Sequence, residues 1–140
     1  MIDIENKTSF EVDKPQLLHI AKTLTDQEIE LLITDNEEIQ LINKDTRGVD
    51  KPTDVLSFPY EDMPMAPLGS IVISLDFVLE KAQEFGHTPN DELALLFIHG
   101  LLHILGYDHE IDNGEMREKE KELISKFQLP KSLIVRTQGE

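Results

Sequence analysis

Three histidines stand at positions 99, 103 and 109 of the stretch HGLLHILGYDH, and an arginine stands at 47 within NKDTRGVDK. On a helix, residues four apart differ by about 40° in direction and about 6 Å in height, so His99 and His103 project from one face and can grip one ion. Gly106 is placed to stop such a helix and turn the chain, which brings His109 back as a third ligand. The frame HxxxHxxGxxH is that of metzincin-type zinc sites. Three neutral imidazoles on a divalent ion leave a fourth position for water, whose pKa falls to about 7. The neighbours Leu95, Leu96, Phe97, Ile98, Leu101, Leu102, Ile104 and Leu105 make the helix apolar nearly all round. Imidazoles in such surroundings need a partner, and one zinc ion is the expected one; nickel or another divalent ion suits the same donors.

Gly100 occupies the position at which HExxH peptidases carry the carboxylate that takes a proton from water and returns it to the leaving amine. Without that shuttle the metallopeptidase alternative loses its general base. A glycine in a helix interior costs about 1 kcal/mol against alanine, so it points to close packing or to substrate access. Arg47 offers a planar fork of donors that matches phosphate oxygens and stays charged at physiological pH. Its competing reading is a surface arginine paired with Asp45 or Asp50. Asp108 and Tyr107, in the turn before His109, are weaker candidates as partners of the ligands or as proton carriers, and Asp108 also suits a turn.

Elements must position these groups. MIDIEN alternates, placing Ile2 and Ile4 on one face of a first strand, and EIELLITD reads as a second. VLSFPY and SIVIS are β-branched or aromatic strands, separated by the proline-rich loop EDMPMAPLG. Leu17, Ile20, Ala21 and Leu24 recur at helical spacing after Pro15. Asp35 or Asn36 caps a short helix through Ile39 and Ile42, and the chain is expected to leave it through NKDTRGVDKPTD as a polar loop. A further helix spans about Asp76 to Phe85, ended by Gly86. Thr88, Pro89 and Asp91 then start the histidine helix. The last helix, NGEMREKEKELISKFQ, turns Met116, Leu123, Ile124 and Phe127 inward, and its charged run from Glu115 to Glu122 is expected to be solvated. His19 falls opposite its helix's apolar face and His87 in a loop, so both are expected at the surface. The sum is one α+β domain over residues 1–140, a small mixed sheet of about four strands flanked by about five helices, with a zincin-like metal cleft.

The chain has no cysteine, which excludes disulfide frameworks and thiolate metal sites. Neither a basic and apolar leader nor an apolar run of about 20 residues is present, so a soluble cytoplasmic protein without membrane contact is expected. The net charge of −15 opposes non-specific attraction to nucleic acid, so any nucleic acid must be met locally; Lys44, Arg47 and Lys51 form the one obvious cationic cluster near the motif.

HGLLHILGYDHE together with NKDTRGVDKPTDVLSFP resembles the YbeY family of bacterial metal-dependent endoribonucleases, with LGSIVIS and GHTPNDELALL in supporting positions and in the right order. The resemblance covers residues 41 to 124 and implies a small sheet flanked by helices with the metal in a cleft. It implies zinc ligation by His99, His103 and His109 and a functional role for Arg47, and it places Thr53, Asp54 and Ser57 in a stretch that can line the cleft. The implied activity is hydrolysis of single-stranded RNA in maturation of the 3′ end of 16S ribosomal RNA and in ribosome quality control, with the ribosome or a ribosomal protein as partner. With that resemblance, Arg47 is read as the clamp for the scissile phosphate; the attacking oxygen is either water or the ribose 2′-hydroxyl. A non-catalytic ribosome-associated zinc factor is the remaining alternative.

Overall fold

The computed structural model describes residues 1–60, 66–108 and 110–130. Among these the chain order is β1 (Ile2–Asn6), α1 (Lys14–Leu24), β2 (Ile29–Thr34), α2 (Asn36–Arg47), β3 (Val55–Pro59), β4 (Gly69–Ser74), α3 (Leu75–Phe85), α4 (Pro89–Ile104) and α5 (Glu115–Phe127). The strands form one mixed sheet in the order β1-β2-β4-β3, parallel except for β3, which runs antiparallel to β4. The expected α+β architecture is thus the one observed. Much of the proline-rich loop, residues 61–65, lies outside the described residues.

Register decides which side chains meet α4. The pairs Ile2↔Ile29, Leu31↔Ile71 and Val55↔Ile73 put one set of apolar residues on a single face of the sheet. There they join Leu17, Ile20, Leu93, Phe97, Leu101, Met116 and Leu123 in the main core. The alternate residues Leu56 and Val72 pack on the other face with Ile39 of α2. Helix α4 is buried along most of its length, as its sequence requires. Its start is built as expected, with Pro89 at the first helical position and the Thr88 hydroxyl accepting from the Asp91 N–H at 3.1 Å. At its far end Gly106 adopts φ +102°, a region that L side chains rarely enter, and its N–H donates to the His103 carbonyl at 3.0 Å.

Three expectations are corrected. The segment NKDTR is helical: α2 continues to Arg47 and is capped by Gly48. The reason is Asn43, which is buried and donates from Nδ2 to the Lys51 carbonyl at 3.0 Å, so a polar residue faces inward and ties the helix to the loop that leads into β3. His87 is largely enclosed, its Nε2 2.7 Å from the buried carboxylate of Glu92 at the corner between α3 and α4. Glu120, placed by its composition in a solvated run, is buried in α5 between Met116 and Leu123. His19 is exposed as expected.

Candidate active site

A cleft of about 480 Å³ opens between α4, β3 and the end of α2, with His99, Gly100 and His103 from α4, Asp54 to Ser57 and Pro59 around β3, Arg47 from α2, and Asp108 and Glu110 beyond α4 on its walls. The two histidines reach it because they are one helical turn apart on the face of α4 that the sheet leaves open. Their rings meet edge to face, centroids 4.6 Å apart, with Nε2 of one 3.1 Å from Nε2 of the other. Behind them, His99 Nδ1 lies 3.3 Å from Glu120 Oε2.

Gly100 forms part of the same wall, and here the helix comes close to the sheet. A Cβ there would stand 3.1 Å from Ile71 Cγ2 and 3.3 Å from Val55 Cγ2. Gly100 thus serves close packing of α4 on the sheet as well as lining the cleft, and a side chain there would crowd Ile71 and Val55. Arg47 sits at the last turn of α2, exposed, where its charge also complements the helix dipole. Neither Asp45 nor Asp50 forms an ion pair with it among the described residues; Asp50 instead approaches Lys44 at 4.0 Å and accepts from Gln40 Nε2 at 3.0 Å. Across the cleft, Asp54 Oδ1 accepts from the Val55 N–H at 2.8 Å and from the Thr53 hydroxyl at 3.3 Å, which fixes the carboxylate at the mouth of β3.

The residues expected from the sequence divide accordingly. His99, His103, Arg47, Asp54, Ser57 and Asp108 share the cleft. Asp108 also holds its turn, accepting from the Glu110 N–H at 3.0 Å. Tyr107 packs against the main core and lines a separate hollow with α5, because its N–H closes the α4 terminus onto Leu102 and turns the ring away. His109 lies outside the described residues, and among those described no three His, Cys, Asp or Glu side chains converge as an ion-holding group. The histidine pair nevertheless fits such an ion: two ligands about 2.0–2.1 Å from a tetrahedral centre stand about 3.3 Å apart, and neutral imidazole is the donor that zinc favours. Two residues were not anticipated. Glu110 gave no signal beyond its neighbourhood. Glu120 did, because Met116, Glu120 and Leu123 fall at i, i+4 and i+7, one helical stripe.

A mixed-sheet domain with imidazoles on one wall of an open cleft and a guanidinium on its rim has the build of a hydrolytic enzyme. The sequence pattern of the family described as Endoribonuclease YbeY matches residues 3–128. The chain is 64% identical over 138 residues to the Endoribonuclease YbeY of Aliarcobacter butzleri, covering 97% of this chain and 99% of that one. It is 53% identical over 139 residues to the Helicobacter pylori protein of the same description, covering 99% of each. A Thermotoga maritima protein known from its solution structure superposes with a TM-score of 0.60 at 34% identity, covering 91% of this chain and 89% of that one. The chain belongs to the Endoribonuclease YbeY family, and so to the nuclease class of hydrolases.

Proposed function

We propose that this protein is a zinc-dependent endoribonuclease of the cytoplasm that prefers single-stranded RNA. Its substrate in this reading is ribosomal RNA, cut in maturation of the 16S 3′ end and in ribosome quality control, with the ribosome or a ribosomal protein presenting it. The observation that carries the reading is the shared cleft, which has a histidine pair on its wall and Arg47 lining the same hollow. His99, His103 and His109 would hold the ion, which supplies Lewis acidity and water activation when bound. Arg47 binds and orients the scissile phosphate by two parallel N–H donors, and its fixed charge offsets the negative charge that develops at phosphorus. Gly100 keeps the wall flat enough for a nucleotide to approach the histidines. The acidic surface, at −15, leaves the local cations as the means of contact with RNA, which favours substrate presented by a larger assembly over capture from solution. No described helix is long and apolar enough to cross a membrane.

End-labelled single-stranded RNA, duplex RNA and an unstructured polypeptide, each incubated with zinc-loaded protein, test the proposal. Single-stranded RNA is cut, the polypeptide is untouched, and His103→Ala and Arg47→Ala each lose roughly 10²-fold or more in rate. Cleavage that persists unchanged in both variants, or a cut polypeptide, overturns it.

A further inference from the structure

Glu120 is a carboxylate that the α5 sequence offers as one more surface charge, yet it is 1% exposed and points into the body of the protein. Ionised carboxylates are rarely buried without a partner that needs them. Here Oε2 lies 3.3 Å from His99 Nδ1, the ring nitrogen remote from the cleft, while Nε2 of the same ring lies 3.1 Å from His103 Nε2. Met116 and Leu123, both fully buried on the same stripe of α5, hold the carboxylate at that depth.

We propose that Glu120 is the positioning residue of the cleft: it accepts the Nδ1 proton of His99, so that the ring is locked in orientation and its Nε2 lone pair is directed at the ion-binding point. The inference rests on the zinc reading given above. A neutral imidazole carries one ring proton, and an acceptor at Nδ1 places it there. Loss of a carboxylate partner behind a ligating histidine lowers metal affinity about 10–100-fold. Asp54, Asp108 and Glu110 line the cleft, whereas Glu120 reaches His99 from the buried face of α5.

The test measures Zn²⁺ affinity by competition with a chromophoric chelator in wild type, Glu120→Gln, Glu120→Leu and His103→Ala, with thermal melts of each without metal. Leucine keeps the packing and removes the acceptor; glutamine keeps an acceptor and removes the charge. Glu120→Leu is expected to melt within a few degrees of wild type and bind Zn²⁺ about 10–100-fold more weakly, with Glu120→Gln between the two. Nitrogen-15 shifts of His99 in the metal-free wild type are expected to report the Nδ1–H tautomer, a signature that packing alone would not set. Wild-type affinity in Glu120→Leu, or an Nε2–H tautomer at His99, overturns the proposal. Should Glu120→Leu fail to fold, Glu120→Gln and the tautomer decide. Affinity that falls in His103→Ala and holds in Glu120→Leu refutes the role of Glu120 alone, whereas equal affinity of wild type and His103→Ala refutes the zinc reading itself.

Discussion

Gly100→Ala adds one methyl group to the histidine helix, and two opposed effects set its cost. Alanine is about 1 kcal/mol better than glycine in a helix interior. Against this, the new Cβ stands 3.1 Å from Ile71 Cγ2 and 3.3 Å from Val55 Cγ2, where carbon atoms prefer about 3.5–4.0 Å. Val55 is only half-buried and can give way. Ile71 cannot do so easily, since it is fully buried, stiff about χ1, and carried by a strand whose other face is packed under α2. Overpacking of this kind costs about 1–3 kcal/mol, so the balance is a net loss of about 1 kcal/mol. In a domain of this size that lowers Tm by about 3–5 °C. Gly106→Ala is the control, because nothing lies within 4 Å of its Cβ and only the positive φ opposes it. A melt of Gly100→Ala above wild type would show that the approach of α4 to β4 is not limiting and would refute the reasoning. Gly100→Glu, which restores the peptidase pattern, meets the same wall with a longer and charged side chain and is expected to fold poorly and to cut no polypeptide.

Acid stability tests the tie between β1 and α2. Lys7 Nζ donates to Glu38 at 2.8 Å, and this bond, followed by that from the Thr34 hydroxyl, holds the Glu38 carboxyl below its ordinary value of 4.5. A depressed carboxyl adds stability above its unfolded pKa and loses it as pH falls through the folded one. Lys7→Met should therefore flatten the stability curve below about pH 4.5, by a small amount because both groups face solvent; an unchanged acid limb would refute the assignment. Lys7 itself is raised by the same bond, so its contribution is lost only as pH climbs beyond 10.5. Salt tests the RNA contact. If Lys44, Arg47 and Lys51 are the phosphate contacts, log K for single-stranded RNA falls with log salt at a slope of about −2, some −0.7 for each phosphate. A slope near −5 would place the RNA on another surface.

Strand and helix order was legible because each element carries a local signal that tertiary packing reinforces: alternation in β1, the Thr88 and Pro89 start of α4, the glycine after it. The extension of α2 was not, because NKDTR is polar throughout and only the fold turns Asn43 inward to meet the Lys51 carbonyl. The same distinction divides the site. His99, His103 and Arg47 are chemically conspicuous types and were visible as residues, although only the folded chain shows that α2 and α4 bring them to one cleft. Glu120 was hidden by its neighbours, since a glutamate among Lys119, Lys121 and Glu122 reads as solvated until the stripe from Met116 to Leu123 is given precedence over composition.

The placement of these groups also divides the labour of the fold. Both histidines belong to the most deeply buried helix, His99 within its body and His103 in its last turn, just before the Gly106 turn. Arg47, Asp54 and Asp108 instead stand at element ends, one before Gly48, one before β3 and one after Gly106. If the histidine pair holds an ion as proposed, it demands geometry within tenths of an ångström, which a packed helix supplies. If Arg47 is the phosphate clamp proposed above, it must admit and release a long substrate, and a side chain at a helix terminus can do so without disturbing the core. The charges of the cleft fit the same proposal: Asp54, Asp108 and Glu110 around the histidines would favour a cation there, and Arg47 would favour a phosphate on its side.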